Sequence, residues 1–92
     1  MSKYESVIIT KPDENIAEEV SEKIATFIKD NATLTHFDSL GKRQLVYTCK
    51  GFDYGNYFIF YYESTKEFMF ELERQFRLAE DIIKYMTIKR ED

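Results

Sequence analysis

The chain has 92 residues, 43% of them hydrophobic, and carries a net charge of −4 with one Cys and one His. That length suits one domain, expected to span 1–92 and to bury roughly 60–65% of its extended-chain surface. A lone Cys excludes an intramolecular disulfide framework; no run nears the roughly 18 apolar residues of a membrane span and no signal peptide opens the chain, so the cytoplasm is the expected compartment.

Tyr4 to Lys11 is rich in β-branched residues and stops at Pro12, which cannot continue a ladder. Asp13 then offers an N-cap oxygen, and Glu14, Glu18 and Glu19 suit the positive end of a helix. Ile16, Val20, Ile24, Phe27 and Ile28 recur at helical spacing along one face, and Asp30-Asn31 ends the segment. Leu34 to Lys50 follows as a long second strand, with Gly41 placed for a bend or bulge midway. Lys50 to Gly55 is a turn-rich connector of hairpin length, and Gly55 to Glu63 is the third strand. Ser64-Thr65-Lys66-Glu67 has the form of a capping box, Ser64 at the N-cap and Glu67 at the third helical position. The helix it opens carries Phe68, Met69, Leu72, Phe76 and Ala79 on one stripe, and Ile82 to Lys89 closes the order as a fourth strand.

The order is βαββαβ. Two right-handed βαβ halves place both helices on one face of a four-stranded antiparallel sheet, an α+β ferredoxin-like sandwich with the first and third strands central. Central position explains why Val7-Ile8-Ile9 and Tyr57 to Tyr62 are apolar on both faces. The second face of such a sheet stays open, so either Tyr57, Ile59 and Tyr61 or else Phe58, Phe60 and Tyr62 must point there. The alternation leaves both choices standing.

Charge is distributed unevenly. Residues 13–22 hold Asp13, Glu14, Glu18, Glu19 and Glu22 with no base, whereas 39–52 hold Lys42, Arg43 and Lys50 with no acid. Residues 74–90 hold Arg74, Arg77, Lys84, Lys89 and Arg90 against Glu80 and Asp81. The net negative charge argues against nucleic acid on its face, but the strand regions leave room for an anionic partner at the sheet.

Signals for chemistry are sparse. His36 and Cys49 lie thirteen residues apart on one strand, too far for a catalytic pair, and neither belongs to a metal-ligand cluster. His36 reads as a partly exposed strand residue and Cys49 as a small half-buried one. The carboxylates sit on helix faces; Glu73 and Arg77 have the favourable order at i, i+4. Lys11-Pro12-Asp13-Glu14 lacks the glycines of a phosphate-cradling turn. No enzyme, cofactor or metal is expected.

Leu40-Gly41-Lys42-Arg43-Gln44-Leu45-Val46-Tyr47, Gly55-Asn56-Tyr57, Phe76-Arg77-Leu78 and Ile83-Lys84-Tyr85-Met86, with the opening Lys3-Tyr4-Glu5, resemble the bacterial small-subunit ribosomal protein six family. The likeness runs from about Tyr4 to Arg90, in the family's order and spacing, with Val46 where a small residue is usual. It implies a ferredoxin-like fold and a structural place in the 30S platform, binding 16S ribosomal RNA together with small-subunit ribosomal protein eighteen. It also implies RNA or partner contacts at Lys3, Tyr4, Arg43, Arg77, Lys84 and Lys89. Lys42 and Arg90 join them from the same cation clusters.

Other functions fit the same topology. An RNA-recognition motif stacks bases on sheet aromatics, which Gly55 to Phe60 echoes, although Val7-Ile8-Ile9 offers no ring. An acylphosphatase-like enzyme would need an Arg in the loop after the first strand, where Lys11-Pro12-Asp13 stands. A free metabolite-sensing module is a third reading. Co-sedimentation with 30S particles is expected of the ribosomal reading alone.

Overall fold

A computed structural model describes residues 1–90. Six elements follow one another: β1 (Ser2–Thr10), α1 (Glu14–Asn31), β2 (Thr33–Cys49), β3 (Phe52–Ser64), α2 (Lys66–Leu78) and β4 (Ile82–Arg90). The strands form one antiparallel sheet in the order β2-β3-β1-β4, so β1 and β3 are central as the apolar runs require.

Both helices are set by their caps and stripes. The Asp13 carboxylate accepts from the amides of Asn15 at 2.9 Å and Ile16 at 3.1 Å, which satisfies donors that the first turn of α1 cannot. Val20, Ile24 and Ile28 are buried from α1 and Leu72 and Phe76 from α2, with Phe27 and Phe68 stacked between the helices at 5.4 Å. They cover a sheet face made of Tyr4 and Ile8 on β1 and Phe58, Phe60 and Tyr62 on β3. The open face therefore receives Tyr57, Ile59 and Tyr61, each half-buried.

Three local details differ from the sequence expectation. Thr65, not Ser64, is the N-cap of α2, accepting from Phe68 N at 3.1 Å. Ser64 is the last buried residue of β3 and donates to Thr65 O at 2.9 Å, so Phe68 occupies the third helical position and no capping box forms. The hairpin connector is two residues rather than six: Lys50 and Gly51 take φ of 50° and 82°, the paired left-handed conformation of a tight hairpin turn. β3 consequently starts at Phe52. On α2 the ion pair is Glu71–Arg74 at 3.1 Å rather than Glu73–Arg77.

The β2–β3 ladder is interrupted as Gly41 foretold, with a register shift between Ser39 and Gly41. A larger interruption follows. Gln44 pairs with Tyr54 and Cys49 with Phe52, so Leu45 to Thr48 stand opposite Asp53 alone. Such a bulge bends its strand and strengthens the local twist. Thr48 closes it by donating to Asp53 Oδ1 at 2.7 Å.

That bend carries the hairpin tip across the end of β1 to the opposite edge of the sheet. Cys49 Sγ donates to Ile83 O at 3.3 Å and Lys50 Nζ to Ile82 O at 3.4 Å, tying the end of β2 to the start of β4. Gly55 permits the crossing, since a Cβ there would meet Ile9 Cγ2, lie 2.9 Å from Thr10 O and 3.4 Å from Ile83 Cδ1. Its neighbour Asn56 is buried and donates to Lys11 O at 3.2 Å and Pro12 O at 3.1 Å, which holds the β1–α1 loop against β3. Gly55-Asn56 thus has a packing reason independent of any ligand.

Candidate nucleic-acid interface

The register sorts the contact residues suspected from sequence into two groups and an exception. Lys3 and Arg90 are paired residues on the open face at one end of the sheet, where Arg90 also donates to Glu5 Oε1 at 2.8 Å. Lys89 pairs with Tyr4 on the helix-covered side of the same end and is exposed at the edge. Glu5 and Glu63 lie beside these cations, so their charge is partly offset.

The other group sits at the hairpin end. Lys42 lies opposite Asn56 and Arg43 opposite Gly55, both exposed. Among the described residues Arg43 is held only by its Nε donating to Leu40 O at 3.4 Å. Lys84 of β4 pairs with Ile9 and is exposed. Arg77 lies in the last turn of α2, where a cation also complements the helix dipole. Arg77 and Lys84 line one depression together with Lys50, which is distant from both in sequence. Sequence alone does not distinguish Lys50 within the basic stretch, because its place depends on the bulge that delivers it to β4.

Tyr4 is the exception and a correction. Its ring is 4% exposed and stacks on Tyr62 at 5.7 Å beneath the helices. A strand-opening Tyr on the covered face is a core side chain, so a contact through its ring needs revision.

Tyr62 itself ends a buried hydroxyl chain. Ser6 Oγ lies 2.9 Å from Tyr62 OH and 2.7 Å from Thr87 Oγ1, joining β3, β1 and β4. Burial pushes the Tyr62 phenol up to about 12, against the smaller lowering effect of those hydroxyls. On the open face, the Tyr61 ring lies 5.4 Å from that of His36, tilted by 44°, and His36 Nε2 lies 2.8 Å from Asp38 Oδ1. The Tyr61 phenol is raised above its ordinary 10.0, first by burial and then by the carboxylates of Glu5 and Asp38.

The open face does not have the layout of an RNA-recognition motif. Across from Tyr57, Ile59 and Tyr61, β1 presents Ile9, Val7 and Glu5, so rings lie on one central strand only. Instead the face holds an apolar centre of Val7, Ile59, Met86 and Ile88, the last two exposed. Among the described residues no group of three or more His, Cys, Asp or Glu could hold a metal. Nor, among the described residues, is any helix long and apolar enough to cross a membrane.

Comparison with known proteins fits this frame. A family model described as Ribosomal protein S6 matches residues 3–89. Small ribosomal subunit protein bS6 of Hyphomonas neptunium is 37% identical over 94 residues, covering 99% of this chain and 84% of that protein. The bS6 of Nitratiruptor sp. is 33% identical over 96 residues, covering 99% of this chain and 73% of the other. The crystal structure of 30S ribosomal protein S6 from Thermotoga maritima superposes with a TM-score of 0.90 at 27% identity, over 97% of this chain and 87% of that one. The βαββαβ order, the family-model match over residues 3–89 and the structural likeness therefore place the chain in the ribosomal protein S6 family, as a structural, non-enzymatic component of the bacterial small ribosomal subunit.

Proposed function

We propose that this protein holds a segment of 16S ribosomal RNA in place within the 30S subunit, jointly with small-subunit ribosomal protein eighteen, in the bacterial cytoplasm. The observation that carries the reading is the convergence of Arg77, Lys84 and Lys50 at the hairpin end of a chain whose net charge is −4. Arg43 and Lys42 extend that basic region along β2. Lys3, Lys89 and Arg90 form a second basic end. Phosphate contacts of this kind position RNA without reading its sequence. We assign the protein partner to the open sheet face, where Val7, Ile59, Met86 and Ile88 form apolar surface that no helix covers.

Reconstitution tests the proposal. Small subunits are assembled from 16S rRNA and the remaining small-subunit proteins, with or without this chain and with or without protein eighteen. The chain should sediment with the particle and protect rRNA nucleotides from chemical attack only when the partner is present. Protection unchanged by the partner would remove the joint-binding reading, and absence from the particle would remove the RNA-binding one.

A further inference from the structure

We infer that the hairpin end of the sheet seats one unpaired nucleotide of the RNA, its base against Tyr47 and its phosphate among Lys50, Arg77 and Lys84. The inference rests on the rRNA-binding reading above and goes beyond it in naming the place and the kind of nucleotide.

Val46 and Tyr47 are 88% and 84% exposed, far more than a folded chain needs for two large apolar side chains. They project because Leu45 to Thr48 bulge out of the ladder opposite Asp53. The bulge forms one wall of a hollow whose floor is Ile9 and Tyr57 and whose far wall is Ile83 and Lys84. Next to it, sharing Ile83 and Lys84, lies the depression bordered by Lys50 and Arg77. The Cys49–Ile83 and Lys50–Ile82 hydrogen bonds hold the hairpin tip against β4, so the two hollows keep their relation.

One hollow is apolar and ringed; the other is cationic. Among the described residues no carboxylate lines either one, in a chain with 17 acids. Neither Arg43 nor Lys84 makes an ion pair among the described residues. A flat apolar group joined to an anion fits this pair of surfaces, and a nucleotide carries both within one unit. The base must be unpaired, because stacked duplex bases present only their edges to a protein, whereas an unstacked base can lie on an aromatic ring. A protein segment would have to bring an apolar side chain and an acid together, and it becomes an outcome of the test.

The experiment uses the full chain in the assembled subunit. Tyr47 is replaced by photoreactive benzoylphenylalanine, sedimentation with the 30S particle is verified, and the irradiated crosslink is mapped. A covalent link to an unpaired 16S nucleotide is expected. Separately, Tyr47→Ala should weaken incorporation about tenfold, while Tyr47→Phe, which keeps the ring, should match wild type. A crosslink to protein alone, to a base-paired nucleotide, or to nothing overturns the seat while leaving RNA binding intact. Equal defects in Tyr47→Ala and Tyr47→Phe, or none in either, also overturn it. A chain that never sediments with the particle overturns the RNA-binding reading as well.

Discussion

Gly55 and Thr10 approach so closely that a Cβ on Gly55 would lie 2.9 Å from the carbonyl oxygen of Thr10, a backbone atom that cannot swing aside. The contact joins the two central strands where β3 begins to cross toward β4. Gly55→Ala must push that crossing apart, and overpacking of this kind costs about 1–3 kcal/mol. The melting temperature should fall by roughly 4–8 °C per kcal/mol in a chain this size. A thermal melt within a degree of wild type would show that the strands have slack there.

Phe76 is 1% exposed, in the apolar layer under α2, with its ring 5.5 Å from that of Tyr85. Phe76→Ala should cost about 3–5 kcal/mol, a large share of the roughly 5–15 kcal/mol that holds such a domain. Denaturant titration should show an early midpoint, and assembly should fail because folding fails. A variant melting within a few degrees of wild type would mean that α2 is misplaced.

Arg43 should behave in the opposite way. It is exposed and, among the described residues, held by one long hydrogen bond, so its contribution to folding is below about 1 kcal/mol. Arg43→Ala should melt like wild type yet enter the 30S particle less efficiently. A large stability loss with normal incorporation would make it a structural residue.

Tyr62 gives the protein a base-sensitive stability. Its phenol titrates near 12 in the folded state against an ordinary 10.0. The folded chain therefore keeps a proton that the unfolded chain releases. The sign follows: this contribution is whole below pH 10 and is lost as the pH rises from 10 through 12. Tyr62→Phe should flatten that part of the stability profile relative to wild type. Ser6 keeps Thr87 as a partner at 2.7 Å, so the cost at neutral pH should stay near 1 kcal/mol. Parallel profiles for the two proteins above pH 10 would refute the assignment.

The isolated protein should bind RNA weakly and with a shallow salt dependence. Each phosphate neutralised contributes a slope of about −0.7 to −0.9, and the charge of −4 opposes approach. Adding protein eighteen should raise the affinity in filter binding or fluorescence anisotropy at physiological salt. Nanomolar binding by the protein alone would contradict this.

The sequence by itself determined the element order, both helix stripes, the Asp13 cap, the bulge near Gly41 and the central place of β1 and β3, because these follow from local periodicity and backbone chemistry. The Gly41-Lys42-Arg43 and Gly55-Asn56 segments also carried the family, although the packing role of Gly55 and Asn56 was not visible in them. Tertiary structure alone decided which rings of β3 face outward, since alternation fixes two sets but not their direction; burial of Tyr4 and Tyr62 under the helices settles it. It also moved Tyr4 from suspected contact to core, and it brought Lys50 to Arg77 and Lys84. The cause is the bulge from Leu45 to Thr48, which turns the hairpin across the sheet end. Its geometry depends on the length mismatch between two strands and on the room that Gly55 leaves over Thr10, neither of which any single stretch of sequence encodes.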